Sequence, residues 1–280
     1  MKGRAIRVDA HQHFWQIERG DYGWLSPELG VLYRDYLPED LLLLLAQQQI
    51  DATILVQAAP TLAETEYLLT LAEQYEQVAG VVGWVDFASP EAVADIQRLA
   101  RHPKLLGLRP MLQDIADTDW MLGAALHPAY EALIEADLVF DALVTPRHLP
   151  GLLQLLQRYP AMRVVIDHAA KPQIRDAAFQ PWAEQMALLA SETQAYCKLS
   201  GLVTEASAQW TVSDLQPYVN VLLNTFGSER LLWGSDWPVC LLAADYAQWR
   251  QASEQLLAGV ENTDGIFGLN AVRVYGVGGG

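Results

Sequence analysis

Eight short β-branched or apolar runs recur along the chain, about 32 residues apart on average, and Leu- and Ala-rich stretches with helical spacing fill the intervals. The runs cover residues 6–10, 52–58, 79–85, 105–110, 138–144, 163–167, 195–199 and 231–234. Residues 38–49, 62–77, 90–100, 149–158, 182–191, 215–225 and 244–257 carry apolar side chains at helical intervals. A strand-then-helix unit of this length suits parallel strands joined by crossover helices. The expected fold class is therefore α/β, a closed (β/α)8 TIM-like barrel forming one domain over residues 1–280. A doubly wound open sheet is the runner-up, weakened because no Gly-rich phosphate loop follows the first run.

With 51% hydrophobic residues the chain has material for a large core, and 18 Lys+Arg against 34 Asp+Glu leave a net charge of −16. That balance, without any basic run, argues against nucleic acid or an anionic membrane as partner, since both demand a positive footprint. The start of the chain turns polar before a signal-like apolar region develops, and the most apolar stretch, residues 41–46, is far too short to span a bilayer. A cytoplasmic protein is expected, with Cys197 and Cys240 as free thiols. Composition and pattern carry no signal for oligomeric state.

Two excursions interrupt the repeat. Residues 14–37 hold Trp15, Tyr22, Trp24, Tyr33 and Tyr36, too aromatic a set to float in solvent, so the segment either walls the barrel mouth or plugs it. Residues 111–126 follow the fourth run and bring Asp114, Asp117, Asp119 and Trp120 to the same rim. The tail, residues 277–280, is expected to fray.

Active sites of such barrels sit at the C-terminal ends of the strands, which here are polar. The first run leads into His11 and His13, the second ends in Gln57, the third in Trp84 and Asp86, and the fourth in Arg109. The fifth holds Asp141, the sixth ends in Asp167 and His168, and the eighth leads into Ser235 and Asp236. The seventh supplies Lys198 and Ser200, whose direction the pattern leaves open. Alternation along a strand puts His11 and His13 on one face, and Leu232, Gly234 and Asp236 on another. A His-x-His at a strand end is a metal pair, an acid–base and hydrogen-bonding pair, or two satisfied histidines. The convergence of further polar strand ends favours function, because each would carry a desolvation cost without one. Trp237, Lys171 and Gln57 could bind hydroxyls or an anion, or support loops. His102 and His127, each before a proline, are expected at helix or loop ends without a catalytic part.

The motifs VDAHQHFW, VVGWVDF, GLRPMLQD, VVIDHAAKP, LLWGSDWPV and IFGLNAVRVYG, in barrel order over nearly the whole chain, resemble the amidohydrolase superfamily. The similarity is greatest to its lactonase-type branch, which includes sugar-lactone hydrolases, the L-fuconolactonases and L-rhamnonolactonases among them, and pyrone-dicarboxylate lactonases. The resemblance implies a distorted barrel of the amidohydrolase type, a carboxylic ester hydrolase, and a small cyclic ester as substrate. Residue by residue, His11 and His13 match the superfamily's strand-one pair, His168 its strand-six histidine and Asp236 its strand-eight aspartate. Asn270, Arg273 and Tyr275 match its terminal motif, read as docking the last helix.

Departures from the superfamily pattern shape the expected chemistry. Arg109 stands where binuclear members carry a bridging Lys or Glu, and Lys104 lies at the wrong end of that strand. The fifth strand reads FDALVTP, with His148 beyond it. A binuclear centre is therefore not expected, and even a mononuclear site lacks one customary ligand. The expectation is hydrolysis of a sugar lactone with no metal required: Asp236 as general base, and Arg109 with His11, His13 or His168 stabilising the carbonyl. Trp15, Trp24, Gln57, Trp84, Asp86, Lys171 and Trp237 are the expected substrate-binding residues. A single divalent ion such as zinc, on His11, His13 and Asp236, is the adventitious or mononuclear alternative. Two rival readings are a mononuclear metal enzyme for another ester, an amide or a decarboxylation substrate, and a non-catalytic sugar-acid binder.

Overall fold

In a computed structural model describing residues 4–277, eight parallel strands follow one another in chain order around a barrel. They are β1 (Val8–Gln12), β2 (Ala52–Val56), β3 (Val78–Gly83), β4 (Leu105–Leu108), β5 (Val139–Ala142), β6 (Val164–Ile166), β7 (Tyr196–Leu199) and β8 (Leu231–Trp233). A parallel bridge from Gln12 to Trp237 brings the first and last edges together. Among the described residues ten α-helices surround and close it: α1 (Pro38–Gln47), α2 (Leu62–Gln74), α3 (Ala92–Leu99), α4 (His127–Glu135), α5 (Leu149–Arg158), α6 (Trp182–Glu192), α7 (Leu202–Glu205), α8 (Val212–Phe226), α9 (Tyr246–Leu256) and α10 (Asn270–Tyr275). No helix among the described residues is long and apolar enough to cross a membrane.

Side-chain alternation sorts the strands into two cores. Val8, Ala10, Ile54, Val56, Val82, Val139, Val165 and Leu232 fill the lower barrel and meet Val274 and Tyr275 of α10, which closes that end. Leu55, Val81, Leu108, Phe140 and Ile166 pack outward in the larger cluster with the helices. Strict alternation from Val8 and Ala10 would turn His11 and His13 outward. Pairing of β1 with β2 slips between Asp9 and Gln12, where three steps on β1 oppose two on β2, and this bulge turns the odd-numbered histidines inward.

The first strand lies two residues later than the apolar pattern predicts, because its end is built from the polar residues that face the site. The tail expectation is corrected at Val277, which is buried with the lower barrel cluster; Gly278 to Gly280 lie outside the described residues. Both cysteines are free and buried.

Candidate active site

Two glycines let histidines approach the strand ends. A Cβ on Gly234 would sit 2.7 Å from the His11 Cβ, and one on Gly201 (φ 65°) would sit 2.7 Å from His168 Nδ1. Past β6 the backbone enters a left-handed turn in which His168, Ala169, Ala170 and Lys171 all have φ between 50° and 58°; Asp236 has φ 57°. Non-glycine residues held there carry a cost of order 1–3 kcal/mol each, and such strain concentrates at functional sites. Here it aims His168 and Asp236 at one point.

That point is the Asp236 carboxylate. Its Oδ1 is 3.4 Å from His13 Nε2 and 3.8 Å from both His11 Nε2 and His168 Nε2. His13 donates from Nδ1 to the Val56 carbonyl at 2.8 Å, and His168 Nδ1 meets the Ser200 hydroxyl at 2.8 Å. Burial alone would raise the Asp236 pKa, but His168, a hydrogen bond from His13 and the His11 ring hold it well below the usual carboxylate range. Burial pushes His168 down to about 4 and, together with Lys198, puts His11 well below its ordinary value. At neutral pH the centre is a carboxylate beside uncharged His11 and His168 rings.

Under it lies a charged layer. Arg109 donates to Asp167 Oδ2 at 3.2 Å and to the Gln57 carbonyl. Lys198 is fully buried between Asp141 and Asp167, 2.9 Å from the latter. Burial raises Asp141 to about 6, whereas Lys198, His11 and Arg109 outweigh burial at Asp167 and hold it well below the usual range. Tyr275 donates to Asp141 at 2.8 Å, so the terminal motif reaches into the barrel as well as docking a helix.

The cavity above, about 290 Å³, is lined by His13, Arg109, His168, Lys171, Asp236 and Trp24, of the expected residues. Met111, Gln113 and Asp114 from the 111–126 excursion, with Ala58, Leu143 and Val239, complete it. Trp24 reaches it because its indole donates to the Ala58 carbonyl at 2.8 Å. Glu64 of α2 fixes that loop by accepting the Ala58 and Ala59 amides at 2.9 and 2.8 Å, and burial raises its pKa to about 7. A buried acid on a helix gives no pattern signal, and sequence reasoning missed it.

Five expected substrate-binding residues do not reach this wall. Trp15 is fully buried, donates to the Arg34 carbonyl and packs edge-on behind Trp24 at 5.4 Å. Trp237 is buried against Tyr36 and Phe14. Gln57 is buried, with its amide donating to the Arg109 carbonyl. Trp84 is half-buried, its backbone held by Thr65, and Asp86 is exposed, accepting the Ala88 amide in a turn. The aromatic segment thus does both things its composition allowed: Trp15 and Tyr36 plug, Trp24 walls.

His11, His13 and Asp236 offer ligand atoms within 4.8 Å of one another, and so do His11, Asp167 and His168. His13 and Asp236 of the first group line the cavity, with His11 fully buried beside them, and the three suit one divalent cation. The second is already neutralised by Lys198 and Arg109 at Asp167.

The amidohydrolase family profile matches residues 8–277. An L-fucono-1,5-lactonase of Burkholderia ambifaria is 48% identical over 277 residues, 97% of this chain and 96% of that one. An L-fucono-1,5-lactonase of Burkholderia multivorans is 39% identical, covering 97% and 96%. The crystal structure of a Burkholderia multivorans amidohydrolase with bound zinc superposes at a TM-score of 0.91 with 38% identity, over 98% of this chain and 100% of that one. The chain belongs to the amidohydrolase family, in its lactonase-type branch.

Proposed function

We propose that the protein hydrolyses a sugar lactone of the L-fucono-1,5-lactone kind to its hydroxy acid, with Asp236 as general base. The observation that carries the substrate class is the 48% identity, over nearly the full length of both chains, to an L-fucono-1,5-lactonase. The cavity supports it: a small space with one indole wall and polar groups at its floor fits a sugar ring.

The proposed steps use groups that already face one another. Asp236 takes a proton from a water as that water attacks the lactone carbonyl. Arg109, with its planar donors, and His168 stabilise the oxygen as it gains charge. A carboxylate with so low a pKa is a weak base, yet once protonated it is a strong acid. The same Asp236 then protonates the departing ring oxygen as the C–O bond breaks. Lactone and water become a hydroxy acid, which releases one proton near neutral pH.

A divalent ion on His11, His13 and Asp236 would polarise the carbonyl and acidify a water. A lactone is an activated ester beside an amide, so we propose that hydrolysis does not require that ion. The zinc in the Burkholderia multivorans structure favours a second reading, a mononuclear metal enzyme for another ester, an amide or a decarboxylation substrate. A panel of five- and six-membered aldonolactones, followed by proton release, tests the proposal. Turnover of neutral sugar lactones supports it; turnover confined to dicarboxylated or aromatic lactones contradicts it.

A further inference from the structure

We propose that Glu64 is a positioning residue for Arg109, acting through the peptide group between Gln57 and Ala58: its carboxylate holds the amide of that peptide, whose carbonyl holds the guanidinium. The inference starts where β2 leaves the sheet. Val56, Gln57 and Ala58 offer successive carbonyls to three residues of the cavity wall, the first to His13 Nδ1, the second to Arg109 Nη2 and the third to the Trp24 indole. A peptide is planar, so the aim of each carbonyl is fixed by what holds the N–H on the far side of the same plane. For the first, the Gln57 amide still pairs with the Val82 carbonyl of β3 at 2.8 Å. For the next two, Glu64 takes the place of a strand: Ala58 donates to Oε1 at 2.9 Å and to Oε2 at 3.2 Å, and Ala59 donates to Oε2 at 2.8 Å.

Glu64 has an ordinary structural use within reach and passes it by. Thr61 is the N-cap of α2 and Glu64 its third residue, the spacing of a capping box, in which the glutamate reaches back to the N-cap amide. Here the Thr61 hydroxyl accepts the Glu64 amide at 3.0 Å, but the Thr61 amide donates to the Ala59 carbonyl at 2.9 Å, and the carboxylate extends to Ala58 and Ala59. The side chain is fully buried, where a carboxylate is costly unless hydrogen bonds and an opposite charge meet it. Burial raises its pKa, and the two amides and Arg109 act against that rise. With a carboxylate on its N–H and a guanidinium on its C=O, the peptide is polarised in one sense from both ends, and each hydrogen bond strengthens the other.

Arg109 has its plane set twice, by the Gln57 carbonyl at Nη2 and by Asp167 Oδ2, 3.2 Å from Nη1. Glu64→Gln keeps the size of the side chain and one acceptor. The glutamine oxygen is best placed at Oε2, where it keeps the Ala59 amide; its NH2 then stands against the Ala58 N–H, donor against donor. The peptide that holds Arg109 is released, while the next one, which holds Trp24, keeps its acceptor and serves as an internal control. The effect on turnover rests on the lactonase reading; the tie between Glu64 and Arg109 does not.

The test joins proton–nitrogen NMR to kinetics. In Glu64→Gln the Arg109 Nε–H, assigned by its absence in Arg109→Lys, should exchange with water at least about tenfold faster, and the Trp24 indole N–H, assigned by its absence in Trp24→Phe, should stay within about twofold of wild type. With L-fucono-1,5-lactone as substrate, kcat should fall roughly tenfold and KM should stay within about twofold. In the Arg109→Lys background the same substitution should lower kcat by less than about threefold, because the group it acts through is gone. Unchanged Arg109 exchange, equal acceleration at Arg109 and Trp24, a loss carried by KM, or the same loss of kcat in both backgrounds overturns the proposal. Should Glu64→Gln not fold, Glu64→Asp, whose carboxylate stops one methylene short of the Ala58 amide, is read by Arg109 exchange and by the same pair of backgrounds. Failure of both variants to fold makes Glu64 a residue of the fold and overturns the proposal. If the wild type opens no lactone, the functional reading fails while the two exchange rates still judge Glu64.

Discussion

Asp9 accepts a hydrogen bond from the Ser235 amide at 2.8 Å and another from the His11 amide at 3.2 Å, so one carboxylate on β1 ties the first strand end to the last. Tyr246 of α9 completes it with a hydroxyl at 2.9 Å. His11 and Asp236 flank this knot in the chain, and their separation is set by it.

The knot has a pH signature. Burial raises the Asp9 pKa from 3.8 to about 6, even against the hydrogen bonds it accepts. Folding therefore retains a proton that the unfolded chain releases, and the associated stability is fully present below pH 3.8 and lost as pH rises through about 6. Asp9→Asn cannot titrate. The stability of this variant relative to wild type should rise between pH 4 and pH 7, by at most about 3 kcal/mol. Urea unfolding of both proteins across that window checks it, and a flat or falling difference contradicts it.

Trp24 is 39% exposed and stands on the cavity wall, held through Ala58. Its truncation removes a sugar-facing surface while leaving the buried Trp15 and Tyr36 in place. Trp24→Ala should lower kcat/KM roughly tenfold or more, since stacking and area on one ring face are worth on the order of 1–2 kcal/mol. Melting temperature should change little. Unchanged kinetics with a large loss of melting temperature would assign the segment to packing.

Arg109 spans the Gln57 carbonyl and Asp167 while facing the cavity. Lysine keeps the charge and loses the planar fork. Arg109→Lys should therefore fold and lose on the order of a hundredfold in kcat, the usual scale for a donor to a developing oxyanion. Steady-state kinetics with near-wild-type turnover would remove Arg109 from the proposed chemistry.

Much of this architecture was legible because it depends on local period. β-branched runs marked all eight strands, and the barrel rule turned polar strand ends into the group His11, His13, Arg109, His168 and Asp236, which the structure does bring together. What escaped depends on long-range geometry. The β1 bulge that turns His11 inward is a property of pairing with β2 and has no signature in VDAHQHFW. The direction of Lys198 was open because a lysine in a short apolar strand normally reaches for solvent, and only the carboxylates of β5 and of the turn after β6 explain its burial. Helix α4 has no counterpart among the stretches read as helical, although it begins at His127, one of the expected helix or loop ends, with a proline in its first turn. Tryptophan content placed the 14–37 segment at the rim but could not say which indole faces substrate.

Metal removal separates the two chemistries the site could run. Dialysis against a strong chelator should leave lactone turnover nearly intact, because no step proposed for Asp236, Arg109 or His168 passes through a cation. Added zinc should not raise the rate, even where it occupies His11, His13 and Asp236.

The most direct test is the initial rate of proton release from L-fucono-1,5-lactone at neutral pH in the presence of chelator, for the wild type and Asp236→Asn side by side. Asparagine keeps the shape of the side chain and abolishes proton acceptance. The account predicts full wild-type activity and a loss of roughly a hundredfold or more in the variant, the scale of a general base. A chelated wild type that is inactive until zinc returns, or an Asp236→Asn variant that opens the lactone at the wild-type rate, would contradict it.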